Sequence, residues 1–215
     1  MKIAIDGTAA SGKGTLSENL SKELKLPRLD TGLLYRKLAF MYIKSLKLIP
    51  TQKAIDYSIL KSILNDFDLN NLKPEALKQD LYGNFASRIG KIDFVRKKLK
   101  IIQIKFVENM IKTKGGCILD GRDIGTEILP NADFKFYIDA PIETRAKRRF
   151  KQLYSTNISI KFKNILHDLE KRDINDKSRK NSPLIFSEDS ILIDTEFLNP
   201  HQVLKKALHH IKKKK

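Results

Sequence analysis

A glycine-rich loop joins a short apolar segment to a helical segment near the start of the chain. Residues 2–6 predict a buried strand, and residues 13–24 predict the helix that follows. Between them, Gly7 and the pair Gly12-Lys13 have the spacing of a phosphate-binding loop. Glycines let a backbone turn sharply and approach an anion closely, and a helix N-terminus directs N–H dipoles toward it. This segment therefore predicts an α/β fold with a phosphate site directly after a strand.

The predicted loop offers one lysine and one displaced hydroxyl to a nucleotide. Lys13 can reach the β- and γ-phosphates of a nucleoside triphosphate and neutralise charge during transfer. In the usual pattern a hydroxyl follows the lysine directly, whereas here Gly14 precedes Thr15, which weakens the case for Mg²⁺ bound directly by the loop. An ordinary glycine-rich turn is the alternative. The residues assigned to ATP are Gly7, Thr8, Ala9, Ala10, Ser11, Gly12, Lys13, Gly14 and Thr15.

Short apolar runs alternate with helical stretches along the rest of the chain. This alternation predicts a three-layer α/β core with a parallel sheet of about five strands and helices on both faces. Residues 37–100 are mostly helical in pattern, and residues 151–181 are polar and rich in Lys and Arg, so both look like excursions from the sheet. Further strands are predicted at residues 28–30, 117–120, 134–139 and 191–194, and further helices at 33–46, 74–88, 94–112, 142–152, 162–172 and 202–211.

The balance of charge indicates anionic partners. The chain carries 42 Lys+Arg against 25 Asp+Glu, a formal net charge of +17, which suits nucleotides, nucleic acid or an acidic membrane surface. The single cysteine excludes an internal disulfide. No apolar run approaches the length of about 20 residues that a membrane span needs. We expect a cytoplasmic protein.

Two short motifs follow predicted strands, at the edge where open α/β sheets bind ligands. In the first, Asp30 ends a strand, Thr31 can cap the next helix, and Arg36 lies one turn later, where a guanidinium can bind a phosphate. A capped helix with a surface arginine is the alternative.

The second motif is Asp120-Gly121-Arg122-Asp123. Asp120 has the position of a carboxylate that binds Mg²⁺, often through water, in enzymes with phosphate-binding loops. Arg122 can bind a phosphate, and Asp123 can accept a hydrogen bond from an exocyclic amino group such as that of cytosine. A strand-end turn with a local ion pair is the alternative.

A basic stretch lies later in the chain. Arginines that close over a transferred phosphoryl group stabilise its charge, and a basic lid also excludes water. A solvated, charged helix face is the alternative for any one of these side chains. The stretch comprises Arg145, Lys147, Arg148 and Arg149, followed by Arg172-Asp173, Asp176 and Arg179.

Together the motifs resemble the nucleoside monophosphate kinase family and, within it, the bacterial cytidylate kinases. The glycine after the loop lysine is shared with that family. The resemblance implies transfer of a phosphoryl group from ATP to CMP or dCMP with Mg²⁺. The motifs are Ser11-Gly12-Lys13-Gly14-Thr15, Leu29-Asp30-Thr31-Gly32 with Tyr35-Arg36, Asp120-Gly121-Arg122-Asp123-Ile124-Gly125-Thr126, and Arg172-Asp173 with Asp176 and Arg179.

The resemblance also implies roles for single residues. Lys13, Arg122 and Arg179 would be catalytic, and Asp120 would bind Mg²⁺ through water. The chain departs from the family at three places. Asn175 stands where a basic lid residue is expected, and Lys78 stands where an arginine of the CMP-binding region is expected. The small β-insert of the family is reduced to a remnant at residues 67–72. The residues implied for CMP are Thr31, Tyr35, Arg36, Ser87, Arg96, Arg122, Asp123, Asp176 and Arg179.

The predicted organisation is one kinase core with two excursions. We expect a monomer that binds ATP and CMP or dCMP, with no nucleic-acid or membrane partner. A kinase for another acceptor, UMP or AMP, and a basic nucleic-acid-binding protein remain alternatives. The ranges are 1–36, 101–150 and 182–215 for the core with the phosphate-binding loop, 37–100 for the NMP-binding region, and 151–181 for the lid.

Overall fold

The computed structural model describes residues 1–46, 54–69, 74–77, 80–154 and 160–213. Two compact units are present, Met1–Leu29 with Asn109–Lys215, and Asp30–Glu108. We call them the core unit and the helical unit. Lys78 and residues 70–72 of the expected β-remnant lie outside the described residues, as does part of the expected lid. The predicted domain boundaries stay predictions.

The sheet contains the five predicted strands. Its order is β2-β3-β1-β4-β5, and the pairs β1–β3, β1–β4 and β4–β5 are parallel. The predicted α/β fold with a parallel sheet is therefore confirmed. The strands are β1 (Lys2–Gly7), β2 (Arg28–Asp30), β3 (Cys117–Asp120), β4 (Phe134–Asp139) and β5 (Ile191–Asp194).

The two faces of the sheet differ in polarity, because successive side chains of a strand point to opposite faces. On one face, Ile3 pairs with Phe134 and Ile5 with Phe136. Helices α1 (Lys13–Leu24) and α9 (Pro200–Lys213) cover this face with the buried side chains of Leu16, Leu20, Val203, Ala207 and Ile211.

The opposite face carries polar groups, since Ala4 pairs with Lys135 and Asp6 with Tyr137 in the same register. The buried ammonium of Lys135 is paired at 2.6 Å with Asp189. One face of the sheet therefore packs into an apolar core, and the other face carries charged groups.

Two further helices of the core unit form a smaller core of their own. Helix α7 spans Ile142–Tyr154, and helix α8 spans Phe162–Ser178. Helix α8 continues beyond the predicted end at residue 172, because Ile165, Leu169 and Asp173 form one buried stripe at helical spacing. Because Asp173, the last residue of that stripe, is polar, the apolar periodicity of the sequence does not predict the end of the helix. A short π-helical segment, Ile124–Ile128, was not predicted.

The described part of the helical unit contains helices and no strand after Asp30. Within the predicted helix at residues 74–88, the structure describes helical residues at Pro74–Leu77 and Asp80–Ile89, and the sequence analysis missed the helix at Tyr57–Asn65. None of the helices in the described part of the chain is long and apolar enough to cross a membrane. The helices are α2 (Thr31–Ser45), α3 (Tyr57–Asn65), α4 (Pro74–Leu77), α5 (Asp80–Ile89) and α6 (Asp93–Lys114).

Tyr42 organises the core of the helical unit. Its ring is buried and stacks on Phe85, with centroids 5.1 Å apart. Its hydroxyl accepts a hydrogen bond of 2.8 Å from the backbone N–H of Asp56, whose carboxylate caps helix α3 through the N–H groups of Ser58 and Ile59. The Ser58 hydroxyl, which also donates to this carboxylate, and the two N–H groups lower the pKa of Asp56. One phenol thus joins helix α2 to the start of helix α3.

We predict that Tyr42→Phe destabilises the protein by about 1 to 2 kcal/mol, because the N–H of Asp56 loses its acceptor at a partly buried position. The free energy of unfolding in urea measures the loss. Tyr57→Phe is the matched control, since Tyr57 is 54% exposed, and it should change stability by less than about 0.5 kcal/mol. Equal stability of the two variants would contradict the role of the Tyr42 hydroxyl.

Candidate active site

The loop between β1 and α1 has the backbone of an anion cradle. Ala10 and Gly12 have positive φ angles of 60° and 99°, a conformation that non-glycine residues rarely adopt. A side chain at Gly7 would overlap the carbonyl oxygen of Ile138 on the neighbouring strand. Helix α1 starts at Lys13 without an acidic residue in its first turn, so its N-terminus can receive a negative group.

Side chains hold several carbonyl groups of this loop. Thr8 O accepts bonds of 3.0 Å from both the Ser11 hydroxyl and the Lys13 ammonium. The carbonyl of Ser11 accepts a bond of 2.9 Å from the hydroxyl of Thr195. Because a trans peptide points its N–H opposite to its C=O, the N–H of Gly12 faces away from Thr195.

Arg145 holds a further carbonyl of the loop, that of Ala9, at 3.1 Å. Arg145 as a whole is 4% exposed, and its guanidinium forms an ion pair of 2.6 Å with Asp173 of helix α8. It also donates a bond of 2.7 Å to Ala140 O. The interpretation of Arg145 as part of a solvated face is therefore wrong, because its side chain is a buried support of the loop.

Arg148 supports the loop from the same helix. It donates to the hydroxyl of Thr195 at 2.9 Å, to the carbonyl of Thr195, and to the carbonyl of Glu196 at 3.3 Å. Thr195 in turn holds Ser11, as described above. The solvated-face interpretation is wrong for Arg148 as well.

Asp120, the predicted magnesium residue, ends β3 and is 2% exposed. Its Oδ1 accepts bonds from the Ser17 hydroxyl at 2.6 Å and from Arg28 Nε at 3.0 Å. The carboxylate also lies beneath the first turn of α1, where a Cβ on Gly14 would be 3.9 Å from its second oxygen. The carboxylate of Asp120 is therefore fixed close to the loop, and it forms an ion pair with Arg28.

Four charged residues of the predicted acceptor site lie together in the core unit. Arg122 Nε donates to Asp176 at 2.7 Å, and Arg179 lies 3.6 Å from Asp176 and 3.7 Å from Asp123. Burial alone would raise the pKa of Asp176, but Arg122 and Arg179 outweigh it, with a smaller contribution from Lys13, and hold that pKa below its ordinary value. The four side chains form an alternating set of charges near the phosphate-binding loop, and we call it the charge cluster.

Asp6 is a site residue that the sequence analysis did not assign. Its two oxygens accept the backbone N–H groups of Ile124 and Gly125 at 2.8 and 2.7 Å. Burial raises the pKa of Asp6 to about 6, although these two N–H groups lower it. Asp6 therefore holds the segment directly after Arg122 and Asp123. The position of Asp6 near the end of a strand was the sequence signal for this role. The phosphate-binding loop directly after it drew the assignment to the loop residues instead.

The helical unit carries the other residues predicted to bind the acceptor. Arg96 is buried, its guanidinium lies 5.9 Å from the Tyr35 ring centroid, and it donates to Gly90 O at 3.2 Å. Arg36 donates to Leu77 O at 2.9 Å. The structure thus brings Tyr35 and Arg96 together.

Ser87 and Thr31, two further residues predicted to bind CMP, also belong to the helical unit. Ser87 is half-buried on helix α5. The prediction that Thr31 caps helix α2 is wrong, because Thr31 is the first helical residue and Asp30 precedes it as the cap position. The buried position of Thr31 reflects a helix that starts directly at the strand end.

A family model described as cytidylate kinase matches residues 3–213. The chain belongs to the cytidylate kinase family. It is 41% identical over 198 residues to a cytidylate kinase of Bartonella tribocorum, covering 92% of this chain and 87% of that protein. It is 37% identical over 213 residues to a cytidylate kinase of Rickettsia rickettsii, covering 99% of this chain and 92% of that protein. As a family member, the chain is a kinase, and the predicted family is confirmed.

Solved structures agree on the fold. The chain resembles protein TT1252 from Thermus thermophilus with a TM-score of 0.51 and 14% identity, over 99% of this chain and 96% of that one. It resembles a sugar kinase from Janibacter with a TM-score of 0.51 and 12% identity, over 98% and 94% of the two chains. At these identities the likeness concerns the fold alone.

We predict that Asp6→Asn lowers the free energy of unfolding by about 1 to 3 kcal/mol, because the new NH₂ group faces a backbone N–H. The loss should depend on pH. Since the folded pKa of Asp6 is about 6 and its ordinary value is 3.8, the folded state binds the proton more tightly. The contribution of Asp6 to stability is therefore largest at low pH and is lost as the pH rises through about 6.

Urea unfolding of both proteins at about pH 5 and about pH 7.5 measures this effect. The difference between wild type and Asp6→Asn should be larger at the lower pH by about 1 kcal/mol. A difference that is the same at both values would contradict the raised pKa of Asp6.

Proposed function

We propose that this protein transfers the γ-phosphoryl group of ATP to CMP or dCMP, giving ADP and CDP or dCDP. The observation that carries the proposal is the proximity of the phosphate-binding loop and the charge cluster within the core unit. Lys13 of the loop contributes to the lowered pKa of Asp176 in the cluster. A cationic donor site therefore adjoins a pair of arginines suited to an anionic acceptor.

The loop supplies the donor site in this proposal. The backbone N–H groups and the N-terminus of helix α1 bind the phosphates of ATP, and Lys13 neutralises charge on the phosphoryl group that moves. The supports from Arg145 and Thr195 hold the loop in shape before ATP arrives. Preorganised dipoles of this kind stabilise a transition state without reorganising during the reaction.

The charge cluster supplies the acceptor site. The phosphate of CMP is already an anionic nucleophile, so the reaction requires positioning rather than a general base. Arg122 and Arg179 bind that phosphate, exchanging part of their contact with Asp176 for contact with the nucleotide. Asp176 then becomes available to the ribose, and Asp123 accepts a hydrogen bond from the cytosine amino group.

The helical unit contributes base and phosphate contacts. Arg36 binds the acceptor phosphate, and Arg96 binds cytosine, together with Thr31, Tyr35 and Ser87. The proposal for Arg96 is supported by its fixed guanidinium, which lies over Tyr35 and donates to Gly90 O. A buried, oriented guanidinium can read a base by directed hydrogen bonds.

We propose Mg²⁺ as the accompanying metal ion, since kinases of this kind typically use a divalent metal with the nucleotide. In the described part of the chain, no group of three or more His, Cys, Asp or Glu residues could hold a metal ion. Mg²⁺ prefers phosphate oxygens, water and one or two carboxylates, and the buried, paired Asp120 fits a contact through water. The ion would neutralise phosphate charge.

Beyond its substrates, we propose that the protein acts as a cytoplasmic monomer without a nucleic-acid or membrane partner. The positive charge is then directed at small anions. The arginines of the charge cluster and Lys13 support this proposal, because they are cations in the part of the core unit where we propose that the nucleotides bind.

We predict that Lys13→Ala lowers kcat by at least about 100-fold, because the moving phosphoryl group loses a positioned cation. The fold should be kept, since the loop carbonyls remain held by Ser11, Arg145 and Thr195. Steady-state ADP release measures kcat, and thermal unfolding checks the fold. Lys22→Ala, on the same helix and paired with Glu18 at the surface, is the control. Turnover of Lys13→Ala at the wild-type rate would refute the mechanism.

We predict that CMP and dCMP are preferred over UMP and AMP in a coupled ADP-release assay. Asp123→Asn should narrow the ratio of kcat/KM for CMP over UMP by about 10-fold or more, because an amide can donate to the uracil carbonyl while a carboxylate cannot. A response to AMP alone would refute the proposed acceptor, and an unchanged ratio would refute the role of Asp123.

A further inference from the structure

A largely buried ion pair joins the first residue of β2 to the last residue of β3. Arg28 Nε donates to Asp120 Oδ1 at 3.0 Å. The side chain of Asp120 is 3% exposed, and that of Arg28 is 22% exposed. A carboxylate with so little contact with water is costly unless a cation compensates its charge. Arg28 supplies that cation, although the sequence analysis gave it no role beyond its strand.

The pair lies against the first turn of helix α1. A Cβ added to Gly14 would be 3.6 Å from Arg28 Nη2 and 3.9 Å from Asp120 Oδ2. Gly14 directly follows Lys13, whose ammonium donates to Thr8 O of the phosphate-binding loop at 3.0 Å. Phosphates that bind at the N-terminus of α1 therefore come within electrostatic range of both members of the pair.

The two carboxylate oxygens of Asp120 have different surroundings. Oδ1 accepts the hydroxyl of the fully buried Ser17 at 2.6 Å, as well as Arg28 Nε. Oδ2 is the oxygen that approaches Gly14 and therefore faces the loop. A negative charge on this side of the carboxylate would repel phosphate and attract Mg²⁺, and a guanidinium beside it reduces both effects.

We propose that Arg28 sets how strongly ATP binding depends on Mg²⁺, by acting as the counter-ion of Asp120. ATP without a metal ion carries its full negative charge, which an uncompensated carboxylate beside the loop would repel. Arg28 removes this repulsion, and it acts through Asp120 as a positioning residue rather than by contact with the reacting atoms. The inference rests on the proposed function, because it concerns the ATP and Mg²⁺ of that reaction.

Calorimetric titration of the full chain with ATP, once in saturating Mg²⁺ and once in a chelator, tests the proposal. Arg28→Gln removes the charge but keeps a donor for Asp120, because glutamine Nε2 follows the same three side-chain carbons as arginine Nε. It should weaken the binding of metal-free ATP by about 10-fold or more. The affinity for ATP in Mg²⁺ should change by no more than about threefold, since the ion replaces the missing cation.

The quantity compared among variants is the ratio of ATP affinity with Mg²⁺ to ATP affinity without it. Arg28→Lys keeps the charge and should hold this ratio within about threefold of wild type. Lys22→Gln is the matched control, because it removes an ammonium from the same helix, α1, where its side chain is 72% exposed. It should leave the ratio unchanged. Thermal unfolding checks that each variant is folded.

A double-mutant cycle separates this role from a direct contact between Arg28 and phosphate. Asp120→Asn alone should decrease the ratio, because Arg28 then adds a cation without its carboxylate. In the background of Asp120→Asn, Arg28→Gln should weaken the binding of metal-free ATP by no more than about threefold, since no carboxylate remains to be compensated. The single variant Asp120→Asn also tests the proposal if Arg28→Gln does not fold.

Four outcomes overturn the inference. Equal losses of affinity with and without Mg²⁺ in Arg28→Gln would show that the pair only supports the fold of the loop. An equal loss of metal-free affinity with and without Asp120→Asn would show that Arg28 binds phosphate directly. A wild-type ratio in Arg28→Gln or in Asp120→Asn would show that the pair does not affect the dependence on Mg²⁺. Binding of ATP to the wild-type chain only in Mg²⁺ would show that Arg28 does not compensate Asp120. Failure of the wild-type chain to bind ATP under either condition would instead refute the proposed function.

Discussion

The candidate site depends on the buried ion pair between Arg145 and Asp173. The pair joins two helices, and Arg145 also reaches the carbonyl of Ala9 in the phosphate-binding loop. A buried pair such as this one is costly to break, because the remaining charge loses its partner in a poorly solvated place. The loop can therefore keep its unusual backbone, with Ala10 at a φ of 60°, only while this support and the one from Thr195 are in place.

The same interactions explain why the phosphate-binding loop and the charge cluster lie close together in the core unit. Asp173 and Asp176 both belong to helix α8. This one helix therefore contacts the phosphate-binding loop through Asp173 and the arginines of the charge cluster through Asp176. Asp6 adds a second connection, since it lies in the strand that leads into the loop and holds the segment after Asp123. Rigid positioning of donor and acceptor is what an enzyme of this class needs, because the chemistry itself asks little of the protein.

The strands and the loop were predictable because their signals are local. Each strand is a short apolar run closed by a charged or turn residue, and the loop has fixed spacing. The residues that support the loop were not predictable in these roles. Arg145 and Asp173 read as surface charges in the sequence, and only their burial in a shared core reveals a structural role. Thr195 gave no signal, because its partner, Ser11, is 184 positions away. Helix α3 was missed because its start depends on the phenol of Tyr42 as well as on its own cap.

The contact between Ser11 and Thr195 has a consequence for the order of synthesis. A chain leaving the ribosome exposes its glycine-rich loop early, yet the hydroxyl that holds the loop arrives only after most of the polypeptide has been made. Helix α9, which closes the dry face of the sheet behind β1, arrives later still. During translation the loop therefore lacks one of the contacts that hold its geometry until the segment after the last strand has been made.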